Sequence, residues 1–508
     1  MEQGRSHVVV IGAGVGGLGA ALALARRGHE VTIVERDATP APTDPDSAFA
    51  WDRRGAPQVR HSHALLARLR NLLRDHYPDV LAQLLDAGAT ELRFCDNPPP
   101  EMDDRAPRDG DEDLVAIACR RTTFEWVLRR AVLAESHVRL LDGVRVDELA
   151  IACATSNERP RVTAVHITRD DAAEVIPADL VVAATGRRSG VPRWLAAAGI
   201  ELEIKEEDTG IVYLSRFYRL RDGAEQPPTT GPIGGDLGYL KYAVFLGDNR
   251  TYSVTFAVGT HDDELRSKLL DPETFDAAAR ALPATEAWAD PDVGEAITPV
   301  NVMAGLLNRR IRFLDDDDQP LVLGLHAVGD AHTCTNPLYG RGCSLAMVQA
   351  DLLAAAIDAH PDDLGARATH YELASRREVE PWYKASVAQD RYARTHTTID
   401  PATPTLRPTN DPQPDPVARM DTDVESQPDF VADLMRDGLL PAVRTDAVVF
   451  RAFIRAFNLL VAPDALMTDN DVIARVLTVY QDRENRPPQP VLGPPRDEML
   501  AALDLAVG

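Results

Sequence analysis

One stretch, "VVVIGAGVGGLGAALALARRGHEVTIVERD" from Val8 to Asp37, constrains this 508-residue chain more than any other. Val8 to Ile11 reads as a buried strand, Gly14 to Arg27 as a helix and Glu30 to Glu35 as a second strand. Gly12, Gly14 and Gly17 complete G-x-G-x-x-G between the first strand and the helix. Gly12 lets the chain turn sharply, Gly14 lets backbone N–H groups approach a pyrophosphate, and Gly17 lets helix and strand pack closely. The phosphates then lie at the positive end of the helix dipole. Glu35, at the tip of the second strand, is placed to accept ribose hydroxyls and would repel a 2′-phosphate. Glycines in a tight turn explain many isolated matches. Here strand, helix, Ala21, Leu24, Gly28 and the terminal acid are all in register. The unit predicts a bound dinucleotide and does not choose between NAD and FAD.

Composition excludes several classes of partner. With 79 acidic residues against 54 basic ones, the formal charge is -25, which gives neither nucleic-acid backbone nor anionic lipid any attraction. No apolar run approaches the roughly 20 residues of a membrane span, and "MEQGRSH" passes straight into a strand rather than a signal segment. Cys95, Cys119, Cys153, Cys334 and Cys343 show neither CxxC pairing nor metal-ligand spacing, so no metal site is expected. These features predict an acidic, cytoplasmic protein with reduced thiols.

Two later stretches extend the first motif. "DLVVAATGRRS" (Asp179 to Ser189) is an apolar strand ending in Ala184-Thr185-Gly186. "VGDAHTCTNPLYGRGCSLA" (Val328 to Ala346) again runs strand, acid, loop, glycines, helix. Asp330 is placed to bind a ribityl hydroxyl, and Gly340 and Gly342 let a loop press its N–H groups on a ring system or phosphate before a helix beginning near Ser344. A second helix N-terminus aimed at one ligand suits a long, two-part cofactor, FAD, rather than NAD.

The fold class that follows is α/β: a Rossmann-like FAD-binding domain, an inserted mixed β-sheet for substrate, and a helical C-terminal extension. We place the FAD-binding domain at 1–195 and 305–360, the inserted sheet at 196–304 and the extension at 361–508. "TYSVTFAV" alternates like a half-buried strand. The stretch from Asp96 to Leu114 reads as too polar to pack, and Pro401 to Pro416, with six prolines in sixteen residues, as an extended connector.

The ordered set GxGxxG…E, ATG and GD…P…G-x-G resembles the FAD-dependent monooxygenases typified by para-hydroxybenzoate hydroxylase and squalene epoxidase. "RRGAPQVRHSHALL" (Arg53 to Leu66) and "NPLYGRGCSLAMVQA" (Asn336 to Ala350) are similar to segments of the bacterial polyether-type epoxidases. The resemblance spans about Val8 to Ala356. It implies that Gly12, Gly14, Val15, Gly16 and Gly17 hold the pyrophosphate, and that Glu35 and Arg36 meet the adenosine ribose. It also implies that Arg121 reaches the phosphate or ribityl region, Val146 meets adenine, and Asp330 holds the ribityl chain. Gly340, Gly342 and the backbone of Cys343 would face the flavin. The reaction implied is transfer of one oxygen atom from O₂, through a flavin C4a-hydroperoxide, to a lipophilic alkene or aromatic small molecule. NADPH or NADH would supply electrons directly or through a flavin reductase. No residue declares itself catalytic, and Arg60 and His61 are the flavin-facing candidates. The chain departs from the hydroxylases' GDAAH, since His332 comes one residue early, and lacks the W-x-W-x-x-I-P segment of flavin halogenases. A reductase or dehydrogenase of a lipophilic polyene, or a non-catalytic carrier like the GDP-dissociation inhibitors, shares the fold and stands as the alternative.

Several other residues have ordinary readings beside functional ones. Ser62 or His61 could simply cap a helix over "SHALLARLRNLLR". His332 could be a proton relay or a satisfied loop residue, Cys334 and Cys343 inert buried thiols. "VVFRAFIRAFNLLV" (Val448 to Val461) should pack over the substrate cavity rather than touch lipid. Tyr213, Phe217, Tyr242, Tyr252 and Phe256 of the inserted sheet either roof the cofactor ring or form ordinary core.

Overall fold

Val8, Val9 and Val10 are wholly buried. β-Branched side chains suit a pleated surface covered on both faces. They lie in the strand His7–Ile11, the centre of a five-stranded sheet ordered Leu325–Ala327, Leu180–Ala183, His7–Ile11, Glu30–Val34, Val138–Leu141. Every pairing in it is parallel. The computed structural model describes residues 5–38, 42–152, 159–229, 233–396, 433–485 and 491–507. Cys153 and the proline-rich connector 401–416 lie outside the described residues.

Alternation along the central strand sorts the two faces. Val8 and Val10 join Ile33, Leu180 and Val182 against the helices Val15–Ala25, Arg121–Ala134 and Gly342–Ala359. Val9 and Ile11 join Val34, Val181 and Ala183 against an antiparallel meander of Arg145–Ala152, Arg161–Arg169 and Ala172–Pro177. Gly342–Ala359 is the one described helix long and apolar enough to cross a bilayer, but two-thirds of it is buried as the core partner of Val15–Ala25. A side chain at Gly19 would stand 2.5 Å from Met347 Sδ, so a small residue permits that close helix pairing.

The inserted sheet contains Gly234–Asp236, Leu240–Leu246, Thr251–Gly259, Ile211–Leu220, Gly294–Ala296 and Asn301–Met303. The expected mixing of strand directions is not found: each pairing in it is antiparallel. Nor is Thr251–Gly259 half-exposed, since all but its last residue are buried. Its apolar face (Tyr252, Val254, Phe256, Val258) packs on Phe275, Leu282, Trp288 and, from the C-terminal helix Arg496–Val507, Met499 and Leu503. Its polar face (Thr251, Ser253, Thr255) is turned toward the nucleotide-binding part and is covered as well.

Further differences share one physical cause: a partner remote in sequence. The segment 96–114 does pack, because Met102 and Leu114 are buried against Ala447, Phe450 and Ile454. Asp111 also receives a two-pronged bond from Arg451. The amphipathic helix Ala447–Phe457 thus finds a partner in that segment. The helix expected from Ser62 begins only at Ala67.

Arg120 and Asp248, both under 4% exposed, fasten the inserted sheet to the nucleotide-binding part. Arg120 donates its backbone N–H to Asp248 Oδ1 (2.8 Å), and Nη2 to Oδ2 (2.7 Å). Burial by itself would raise the Asp248 carboxyl. The bond from Arg120 and its charge more than offset that, leaving the carboxyl below the ordinary 3.8. A depressed folded-state value stabilises the fold at neutral pH, and the contribution disappears only as pH falls below about 4. Asp248→Asn leaves the guanidinium buried against a neutral amide. It should therefore cost about 3 kcal/mol in denaturant unfolding at neutral pH, with the difference from wild type shrinking below pH 4.

Candidate functional site

The three motifs meet at the carboxyl ends of the parallel strands. Gly12 has φ +103°, and a Cβ there would stand 2.5 Å from the carbonyl oxygen of Ala184. A Cβ on Gly17 would strike the Gly12 carbonyl oxygen and come within 3.2 Å of Ala184 Cβ. One on Gly16 would lie 3.8 Å from Gly329 Cα, beside the turn that carries Asp330, and 3.6 Å from Ala346 in the last motif's helix. Gly340, at φ +65°, brings in a fourth segment, since its Cβ would meet Ala64 Cβ at 2.7 Å. By contrast, Gly14 and Gly342 have nothing within 4 Å of where a Cβ would be.

Glu35 is buried, and its carboxylate is already anchored: Oε2 accepts Ala13 N–H (2.8 Å) and Oε1 accepts Asp37 N–H (2.9 Å). The acid thereby shapes the glycine loop, and each oxygen keeps a lone pair for a ribose hydroxyl. Arg36 is exposed, its Nη2 near Gly55. Val146 lies half-buried where the strand Arg145–Ala152 breaks register, two residues beyond Val144, whose N–H donates to Glu35 O.

Beside Glu35 lies a buried group of charges that sequence reasoning missed. Arg53, 4% exposed, pairs with Glu125 and stands 3.7 Å from both Glu35 and Asp37. Its guanidinium also sits over the Trp51 ring, 4.4 Å from the centroid. Burial lowers its pKa to about 10, still leaving it cationic at neutral pH. The available signal was the Arg121/Glu125 spacing of four on a helix, which places both on one face.

Arg121 opens the helix Arg121–Ala134, and its Nη1 donates to His63 Nε2 (3.3 Å). His63 Nδ1 lies 2.9 Å from the His61 carbonyl, which can only accept, so the proton sits on Nδ1. Burial first, then the nearby Arg121 charge, pushes His63 down to about 3. Burial outweighs a bond to the Val302 backbone and takes His61 to about 4. Both rings are neutral at neutral pH. Neither His61 nor Ser62 caps the helix that follows, whose N-cap is Leu66, although His61 ends the short 3-10 turn Pro57–Arg60 with its N–H on the Gln58 carbonyl. They reach across to the inserted sheet instead: His61 Nδ1 to Ser215 Oγ (3.2 Å), Ser62 Oγ to Ser253 Oγ (2.6 Å). Arg60 donates to the carbonyls of Phe49, Ala50 and Trp51, closing the short helix Pro45–Ala50.

Asp330 follows the strand Leu325–Ala327, and burial raises its carboxyl against the pull of Arg121, Arg187 and Arg309. His332 is satisfied by Thr333 Oγ1 (2.8 Å) and Glu372 Oε2 (3.2 Å). Burial drives Cys334 well up and raises Cys343 also, so neither is a ready thiolate. Of the five aromatics, only Tyr213 and Phe217 are on the sheet face turned to the nucleotide-binding part. Phe217 packs on Phe49 with ring centroids 5.0 Å apart. Tyr242, Tyr252 and Phe256 belong to the opposite, apolar core.

These residues fit a dinucleotide bearing a ring system. Open space at Gly14 and Gly342 gives its phosphates and ring a backbone cradle. Arg53 Nε, Arg121 Nε and Ser344 Oγ are buried with no hydrogen-bond partner, as donors waiting for a ligand would be.

Residues 7–84 match the FAD dependent oxidoreductase (DAO) family model. That match, over the first βαβ unit and the residues after it, supports FAD as the nucleotide. No curated protein sequence matches the chain. Among solved structures, it is similar to pqsL, a probable FAD-dependent monooxygenase from Pseudomonas aeruginosa, with TM-score 0.56 and 17% identity over 78% of this chain and 96% of that one. The flavin-dependent brominase Bmp2 gives 0.55 and 15%, covering 94% and 99%. OxyS anhydrotetracycline hydroxylase from Streptomyces rimosus gives 0.53 and 18%, covering 90% and 76%. At such identities the likeness is one of fold.

The two kinds of glycine should separate under mutation. Gly14→Val projects into open space and should abolish FAD retention with the apoprotein's melting temperature unchanged. Gly17→Ala collides with backbone and should cost about 3 kcal/mol of stability in denaturant unfolding.

Proposed function

We propose that the protein is an FAD-dependent monooxygenase that places one oxygen atom from O₂ into a lipophilic alkene or aromatic small molecule. The observation that carries this reading is the meeting of Gly12, Ala184, the Asp330 turn and the Gly340 loop beneath the uncharged face of the inserted sheet around Tyr213, Ser215, Phe217, Ser253 and Thr255. FAD, when bound, supplies the redox and oxygen chemistry.

This chain's residues would bind, orient and exclude water. The Gly12–Gly17 loop and helix N-terminus hold the pyrophosphate, with Arg53 and Arg121 offering charge-assisted donors. Glu35 and Arg36 take the adenosine ribose, Val146 borders adenine, and Asp330 takes the ribityl chain. Gly340, Gly342 and the Cys343 backbone shape the ring end. His61 and His63, held neutral, present no charge to an apolar substrate. The closed layer between the sheet and the Arg53–Leu66 segment keeps bulk water out. Two electrons from NADPH or NADH, delivered directly or through a reductase, and two protons balance the reaction, with the second oxygen atom leaving as water. The fold shared with pqsL and OxyS supports the reading. Halogenation is disfavoured despite the brominase's similar fold, because the W-x-W-x-x-I-P segment is absent.

Supplying reduced FAD under O₂ with a panel of alkenes and phenols should add one oxygen atom to a product, read by mass. Reduction of the flavin by a polyene without O₂, and no oxygenated product, would assign a dehydrogenase instead. Asp330→Ala should weaken FAD binding by at least about ten-fold (about 1.4 kcal/mol) while the apoprotein melts as wild type does. Undiminished retention of FAD would remove Asp330 from the cofactor site.

A further inference from the structure

The loop bearing Gly340 and Gly342 is held from behind by a helix outside the stretch of sequence resemblance. Trp382, Ser386 and Asp390 stand four residues apart on Glu380–His396, so they share one face. That face meets the loop at each position. The Arg341 guanidinium lies between the rings of Tyr339 and Trp382, 4.6 and 4.8 Å from their centroids, and its Nη1 donates to Ser386 Oγ (3.1 Å). Asp390, 3% exposed, accepts from Asn336 Nδ2 on one oxygen (2.7 Å) and from Asn308 Nδ2 on the other (2.6 Å), with Tyr339 OH at 3.3 Å.

The hydrogen bonds admit only one arrangement. Asn308 Oδ1 accepts the Asn336 backbone N–H (2.8 Å), and Asn336 Oδ1 accepts the Leu338 N–H (2.9 Å). Each amide's orientation is thereby fixed, and both NH₂ groups must point at residue 390. Only an acceptor-only group satisfies them. Asn308 and Asn336 are themselves fully buried, so a mismatch finds no water.

We propose that Asp390 is a positioning residue for the cofactor: it locks the Asn336–Gly342 loop in the shape that receives the flavin, making the helix Glu380–His396 part of the cofactor site. The inference rests on the FAD reading above. Asp390→Asn sets an NH₂ against the NH₂ of Asn308 or Asn336, and neither amide can turn over without abandoning a backbone N–H. Adding Asn336→Asp restores the bonds to both residue 336 and Asn308, with donor and acceptor exchanged between positions 336 and 390, and the Tyr339 hydroxyl then accepts from the new amide instead of donating.

The test is FAD titration of purified apoprotein, with the flavin's absorption band shape and fluorescence read in each complex. Wild type should bind, and Lys384→Ala, an exposed position on the same helix, should match it. Asp390→Asn should bind at least about ten-fold more weakly (about 1.4 kcal/mol) with an altered band shape, and the exchanged pair should recover to within about three-fold. Binding by Asp390→Asn equal to wild type with an unchanged spectrum overturns the inference. So does an exchanged pair that recovers neither binding nor, where the single variant fails to fold, folding. A wild-type protein that takes up no FAD refutes the cofactor reading itself, and this inference with it.

Discussion

Backbone meets backbone around Gly12 and Gly17 with no room for a methyl group, and the rest of the site is arranged about that contact. The turn at Gly12 passes against the Ala184 carbonyl, the start of the first helix passes over the Gly12 carbonyl, and the turn before Asp330 passes Gly16. Three segments separated by well over a hundred residues reach one place because their strands are neighbours in a parallel sheet. In open α/β sheets the strands' carboxyl ends form the crevice where ligands bind. Tight packing at one end of the helix Val15–Ala25 and open space at Gly14 are two consequences of one glycine pattern.

Charge follows a comparable division between whole and part. The chain is strongly acidic, yet Arg53, Arg120, Arg129 and Arg341 are all under 7% exposed. A formal -25 spread over the surface is screened beyond about 10 Å at 0.1 M salt. A guanidinium enclosed beside the glycine loop is not screened that way. Arg53 has three carboxylates around it and still leaves Nε unbonded. That nitrogen keeps an unused hydrogen-bond donor, although Asp37 lies 3.7 Å from it as an ion-pair partner. A net charge therefore argues about large polyanions and says little about a small anion held at a buried site.

Much of the nucleotide-binding part was legible in the sequence because its information is local. The parallel strands are short apolar runs, the glycines stand at their ends, and Glu35 and Asp330 occupy strand tips. What escaped was whatever depends on a distant partner. Arg60, a candidate for facing the ring, also closes a helix eleven residues upstream, a contact that its own neighbourhood in the sequence does not announce. Met102 and Leu114 are two apolar residues in a polar stretch, too few to show periodicity, and they bury only because Ala447–Phe457 arrives from over three hundred residues away. The network at Asp390 is a case of the same kind. A single aspartate in a helix carries no local signal, and its meaning lies in the orientation of two asparagines elsewhere.

The strand Thr251–Gly259 shows why composition understates such a surface. Its alternation correctly marks an apolar face, and the natural inference from Thr251, Ser253 and Thr255 is contact with water. Thr251 instead donates to the Asp248 carbonyl (2.6 Å), and the other two hydroxyls meet hydroxyls: Ser62 bonds to Ser253, and Ser215 to Thr255 (2.9 Å), joining segments 191 and 40 residues apart. A wall built this way is polar in atoms yet uncharged, and its donors and acceptors are largely used up by one another. An apolar molecule brought against it would displace few bound waters and break few hydrogen bonds. The wall would also be stiffer than loops of the same composition, because each hydroxyl is tied to a strand held in register along its whole length. A rigid, internally satisfied face opposite a backbone cradle is what a site needs if it is to hold a flat ring and an apolar substrate in fixed relation while keeping water away.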